Sequence, residues 1–194
     1  MSINQIQFQK GLSIIDFIEN YGTDEQCFDA LFNMRWPNGF RCPGCGCTEF
    51  CQLSTRRLSQ CNQCRKQTSI TSGTIFSGTK LTLKIWFMGI YFMTQNKKGI
   101  SALELKRKLG ISYKAAWRMR HKLMQVMMER ESSKKLSGRI EIDDAYLGGE
   151  HTGGKRGRGS ENKTPFVAAV QTDQAGHPQK LKLEIVDGFR KESI

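Results

Sequence analysis

Two cysteine pairs limit what this chain can become. Cys42-Pro43-Gly44-Cys45 and Cys61-Asn62-Gln63-Cys64 are CxxC motifs with fifteen residues between them. A CxxC knuckle brings two thiolates to one side of a tight turn, and two knuckles on adjacent hairpins complete a tetrahedron around a metal. Gly44 and Gly46 ease the first of these turns. Four thiolates leave no open coordination position. The spacing therefore predicts a structural Zn²⁺ centre of the zinc-ribbon kind, whose metal energy is folding energy. A redox CxxC needs a thioredoxin-like βαβ context, which these pairs lack. Cys47 and Cys51 are alternative ligands by type, but their CxxxC spacing is looser and falls inside the first hairpin. Cys27, among apolar neighbours, reads as a core residue.

The compartment follows from the same cysteines. Seven is an odd number, and the first twenty residues mix polar and charged side chains with no signal-peptide apolar region. The longest apolar stretch, IWFMGIYFMT (85–94), is too short to span a bilayer. A cytoplasmic chain with reduced thiols and no membrane partner is expected, and there paired cysteines mean metal more often than disulfide. A formal net charge of +12 and a pI near 9.5 favour a polyanionic partner, nucleic acid before lipid. Apolar content is 38%, which suits several small cores better than one large one.

Around the ribbon the chain divides into an N-terminal helical segment (1–40), the ribbon (41–70), a helical unit (71–130), a linker (131–139) and a strand-rich end (140–194). In the first segment Thr23 is placed to cap a helix that begins with Asp24 and Glu25. Arg56, Arg57, Arg65 and Lys66 decorate the ribbon, either as phosphate contacts or as a solvated basic face. In the helical unit, Thr82 is expected to cap a largely buried helix over 83–96. Ser101 caps a short helix to Leu109, and Ser112 caps a longer one to about Glu129.

A Gly-containing turn, Gly110-Ile111-Ser112, joins these last two helices in the manner of a helix-turn-helix. Ala102, Leu105 and Leu109 form one apolar face, and Ala116, Met119 and Leu123 the other. Tyr113, Lys114, Trp117, Arg118, Arg120 and Lys122 gather toward the N-terminal part of the second helix, where a recognition helix meets bases and phosphates. The alternative is an ordinary basic helical hairpin. His121 has no partner spaced to make it a metal ligand.

Beyond the linker, IEIDDAYLGG (140–149) reads as a strand with Glu141 and Asp143 on one face and Ile140 and Ile142 on the other. Carboxylates on a buried strand call for something positive beside them, a divalent metal before others; a solvated acidic edge strand is the plainer alternative. EHTGGKRGRGSENK (150–163) is Gly-rich and basic and matches no nucleotide-binding fingerprint, so Lys155, Arg156 and Arg158 read as phosphate contacts. PFVAAVQT (165–172) and QKLKLEIVD (179–187) are two further strands across the turn DQAGHP.

In combination, RWPNGFRCPGCG (35–46), the second CxxC, the helix pair, and IEIDDAYLGG followed by GRGSENKTPF closely resemble one family over nearly the whole chain, from about Ile14. They are similar to bacterial insertion-sequence transposases with an N-terminal zinc ribbon and a DDE catalytic domain. The fold class this implies is multidomain α+β: N-terminal helices and zinc ribbon, helix-turn-helix, then an incomplete ribonuclease H-like α/β domain. The resemblance makes Asp143 the first catalytic carboxylate. Three such carboxylates hold two Mg²⁺ ions for in-line phosphoryl displacement, by which DNA is cleaved and joined. It also implies double-stranded DNA at the element's ends as the partner, with self-association or association with a full-length transposase. Asp144 departs from the family's usual Glu-x-Asp-Glu pattern.

The second and third carboxylates have no counterpart, because Asp173 falls in a turn and Asp187 ends the third strand. Three antiparallel strands without covering helices would also leave apolar surface and a free edge exposed. The expectation is a truncated transposase (a fragment, a frameshifted copy or a decayed element) that is inactive alone. The alternative function is a non-enzymatic DNA-binding regulator of transposition.

Overall fold

The computed structural model describes residues 11–53, 56–96, 98–148 and 163–189. The described residues form two compact units, divided between Met128 and Glu129. The division falls inside one long helix.

In the first unit, helices α1 (Ile14–Tyr21) and α2 (Asp24–Arg35) begin at side-chain caps. The Ser13 side chain accepts from Asp16 N–H, and Thr23 forms a reciprocal capping box with Gln26. Three short antiparallel strands follow in the order β1 (Phe50–Leu53), β2 (Leu58–Cys61) and β3 (Gln67–Ser69). Helix α3 (Leu83–Gln95) is capped by Thr82, and α4 (Ala102–Leu109) by Ser101. Gly110, at φ +65°, ends α4 in the left-handed conformation that glycine adopts without strain. Helix α5 (Tyr113–Ser132) starts with Ser112 accepting from Ala115 N–H.

These helices bury one continuous apolar core. Phe17, Cys27, Leu31, Trp86, Phe87, Met119 and Leu123 all belong to it. Phe17 and Tyr21 of α1 reach α3 through ring contacts with Tyr91 and Phe87. A satellite cluster of Ile100, Leu105 and Ala116 seals the α4–α5 corner. The two apolar faces expected of these helices are thus the ones that pack. Only one side of α3 is fully buried (Leu83, Trp86, Phe87 and Gly89), so it is less enclosed than its all-round apolar sequence suggests. Helix α5 runs three residues beyond the expected Glu129, and the connection to the next strand shrinks accordingly.

The second unit is a three-stranded antiparallel meander, β4 (Arg139–Leu147), β5 (Thr164–Thr172) and β6 (Pro178–Ile185). Asp143 stands opposite Ala168, and Ala168 opposite Leu183. Of the two readings of this acidic strand, the solvated one describes what is found. Residues 139–143 of β4 are exposed, and so are Ile142, Leu147, Leu183 and Ile185. Burial therefore does not force a counter-charge onto Asp143. Arg139 pairs with Glu141 at 3.0 Å along the same strand.

The β5–β6 turn is organised by Asp173. Its Oδ1 accepts from the backbone N–H of Ala175 and His177, and its Oδ2 lies 3.2 Å from His177 Nδ1. The backbone N–H of His177, followed by the His177 side chain, holds the Asp173 carboxyl below its ordinary value.

Two expectations test this packing. A Cβ on Gly89 would sit 2.4 Å from Met119 Sδ, so Gly89→Val should destabilise the first unit by about 1–3 kcal/mol in denaturant titration. Because the Asp173 carboxyl is depressed when folded, its stabilisation is present above the unfolded value near 4 and is lost as pH falls through the folded one. Asp173→Asn should flatten that acid limb, read as amide-exchange protection of His177 against pH.

Candidate metal centre and nucleic-acid interface

The four cysteines of the two CxxC pairs converge. Their sulfurs all lie within 4.8 Å of one another, with Cys42–Cys64 and Cys45–Cys61 both at 3.5 Å. Four sulfurs at about 2.3 Å from a tetrahedral Zn²⁺ are about 3.8 Å apart, so this donor set fits the ion. The two knuckles repeat one backbone pattern. Cys42 N–H donates to Cys47 C=O and Gly46 N–H to Cys42 C=O; Cys61 N–H donates to Lys66 C=O and Arg65 N–H to Cys61 C=O. The left-handed position is Gly46 (φ +76°) in the first knuckle and Arg65 (φ +59°) in the second. A Cβ at Gly44 would meet Lys66 Cδ at 2.9 Å, so a larger residue there would displace the lysine side chain.

The same backbone donors prepare the sulfurs for a cation. The Cys64 N–H, aided by that of Gln63, brings the Cys61 thiol down to about 6. The Gly44 N–H, donating to sulfur at 3.4 Å, lowers Cys42. Cys45 accepts similar help from Cys47, but burial and the neighbouring sulfurs outweigh it and push this thiol up to about 12. Without a metal the cluster keeps protons; a Zn²⁺ ion displaces them.

The remaining cysteines stay outside this centre. The Cys47 sulfur faces Glu49 C=O at 3.9 Å, and Cys51 is exposed on β1. Cys27 is fully buried, and burial, then the nearby Asp24 charge, raises its thiol to about 11.

Contacts of Arg35, Arg57 and Asp24 that sequence reasoning did not assign tie the ribbon and the helices together. Arg57 bridges Asp24 and Glu25, at 2.9 Å to each. The other Asp24 oxygen accepts from Lys84 N–H at the start of α3. Arg35 donates to the carbonyls of Ile70 (2.6 Å) and Ser72 (2.7 Å) just beyond β3. Asp24 was legible only as a first-turn acid, because a contact across 33 residues has no periodic signature. Arg57 is thus a fastening residue as well as a surface cation.

On α5, Tyr113, Lys114, Trp117, Arg118 and His121 are exposed together on its N-terminal half. Arg120 and Lys122 are engaged elsewhere. Arg120 Nε donates to Ile100 C=O at 3.0 Å, and Lys122 Nζ to the carbonyls of Ile75 and Ser77 at 3.0 and 3.1 Å. Lys155, Arg156 and Arg158 lie outside the described residues. One charge signal went unused. From Phe50 to Met128 the chain carries fifteen Lys and Arg residues and a single acid, Glu104. That acid is paired with Lys108 at 3.0 Å.

Asp143 is exposed, and its Oδ1 accepts from the N–H of Asp144 at 2.8 Å. Among the described residues, the four cysteines form the one group of three or more His, Cys, Asp or Glu close enough to share a metal ion. These residues therefore do not fit a two-Mg²⁺ centre. Among them, too, no helix is long and apolar enough to cross a membrane.

The zinc centre makes a direct prediction. Purified chain should carry one zinc per molecule by metal analysis and release it as pH falls below neutrality, because protons compete for the thiolates. Cys61→Ser should abolish stoichiometric zinc and expose the ribbon to proteolysis.

Comparisons with known proteins agree with this order of parts. A transposase zinc-ribbon domain matches residues 22–67, and an ISXO2-like transposase domain matches 135–194. The first match begins ahead of the cysteines and takes in α2, whose Phe32 stacks on Phe50 and whose C-cap Trp36 meets Phe40 edge-on. An uncharacterized protein in transposable element ISH50 of Halobacterium salinarum is 24% identical over 149 residues, covering 75% of this chain. The chain spans about half (49%) of that relative's length. No solved structure matches. The four-thiolate ribbon, followed on the same chain by the ISXO2-like segment, places this protein in the insertion-sequence transposase family.

Proposed function

We propose that this chain is the DNA-recognising part of an insertion-sequence transposase, together with the first strand of its ribonuclease H-like catalytic domain. The observation that carries the reading is the exposed face of α5. There Lys114 and Arg118 stand beside Tyr113 and Trp117, within a stretch that holds one acid, itself paired. Helices α4 and α5, joined by a turn at Gly110 and packed on α3, support reading the pair as a helix-turn-helix with α5 as recognition helix. The ribbon, fastened by Arg35 and Arg57, adds Arg56, Arg65 and Lys66 as further phosphate contacts. Double-stranded DNA at the element's ends is the proposed ligand. Arg120 and Lys122 then contribute charge more than direct contact, since their donors already serve backbone carbonyls.

Asp143 is proposed as the first carboxylate of the catalytic set. Cleavage and strand transfer need further carboxylates, and among the described residues no group of three potential metal ligands includes Asp143. A second reading, a DNA-binding regulator that occupies element ends without cutting them, is favoured by one observation: Lys10–Met128 is a compact unit with its own apolar core. Competition separates the two. A regulator lowers transposition by a full-length relative and does so equally well as Asp143→Ala.

The binding claim is tested by titrating element-end duplexes at several salt concentrations. Arg118→Ala should weaken binding across all sequences and reduce the slope of log K against log salt by about 0.9, one phosphate contact. An unchanged slope would remove Arg118 from the interface.

A further inference from the structure

Tyr113, Trp117 and His121 recur every fourth residue of α5 and so form one stripe along the helix. Tyr113 is 52% exposed and Trp117 47%. The His121 ring lies against the indole, with centroids 4.0 Å apart and planes inclined by 42°. The other side of this helix is fully committed, with Ala116, Met119 and Leu123 buried. An indole left half in water beside exposed Lys114 and Arg118 is apolar surface next to positive charge. That combination matches an anionic partner that also presents apolar groups.

DNA offers one such group in its major groove. Among the base-pair edges there, only thymine presents a methyl, and the groove is wide enough to admit a helix. His121 already occupies part of the indole surface. With Trp117 47% exposed and the His121 ring against it, the indole surface left over suits a methyl group better than the full plane of an unpaired base.

We infer that Trp117, with Tyr113 one turn before it, determines sequence preference by packing against thymine 5-methyl groups in the major groove. The inference rests on α5 being the recognition helix. Lys114 and Arg118 hold the flanking phosphates, and the aromatic stripe selects T·A pairs at the positions it faces. Such selection needs no hydrogen bond from the indole and is blind to which strand end is cut.

The test uses the zinc-loaded full chain and duplexes that it selects from a random-sequence pool. Each selected duplex is rebuilt with deoxyuridine in place of thymidine, which removes the methyl and keeps the pairing. Wild-type protein should bind the uracil duplexes about fourfold more weakly per contacted methyl, the value of burying one methyl-sized group. Trp117→Ala should narrow the gap between thymine and uracil duplexes, the double variant Tyr113→Ala/Trp117→Ala should close it, and Trp117→Phe should keep more of it than Trp117→Ala. Unchanged zinc content and circular dichroism check that these variants fold, as expected for exposed positions. Selected binding with no thymine–uracil difference, or an undiminished difference in Trp117→Ala, overturns the inference and leaves DNA recognition standing. Failure to bind or enrich any duplex overturns both.

Discussion

The first unit depends on four sulfurs held within 4.8 Å of one another. The ribbon has little else to fold around: its apolar cluster is Phe40 with two of the cysteines themselves, covered in part by Phe32, Trp36 and Phe50. Three strands of three or four residues bury too little area to offset the entropy of ordering thirty residues. A metal supplies that free energy from a single point. The consequences spread outward from it, because β2 carries Cys61 and β3 leads into the loop that Arg35 grips. Loss of the ion would therefore loosen the seat of α2 as well as the ribbon.

Much of this first unit was legible from local rules. The CxxC spacing, the caps at Thr23, Thr82 and Ser101, and the glycine after Leu109 each state a local geometry, and each is found in place. The apolar faces of α4 and α5 were legible for the same reason, since a 3.6-residue period needs no knowledge of the partner. What local rules do not carry is distance. The Arg57–Asp24 bridge and the Lys122 bonds to Ile75 and Ser77 join residues 33 or more apart. Side chains that look like a free basic surface in the sequence are partly spent on such bonds.

The second unit was less legible, and the reason is burial. Alternation placed Glu141 and Asp143 on one face, as the pairing with Val170 and Ala168 bears out. Whether that acid lies under cover is not written in the alternation, and the strand segment itself proves exposed. An exposed carboxylate needs no partner to be tolerated, so Asp143 draws its interest from the transposase-domain match rather than from electrostatic necessity. Both faces of the sheet carry exposed apolar residues, Ile142 on one and Leu183 on the other.

The anchoring of α5 has a consequence for kinetics. Arg120 holds the helix to Ile100 and Lys122 holds it to the loop at Ile75 and Ser77, so the helix is not free to roll about its axis. The azimuth at which Tyr113, Trp117 and Arg118 leave the protein is set before any ligand arrives. A partner meeting this surface pays little ordering entropy, and the encounter needs no conformational search by the protein. Two cations committed to backbone carbonyls thus work as guy-ropes for the helix, fixing the direction in which its exposed face points.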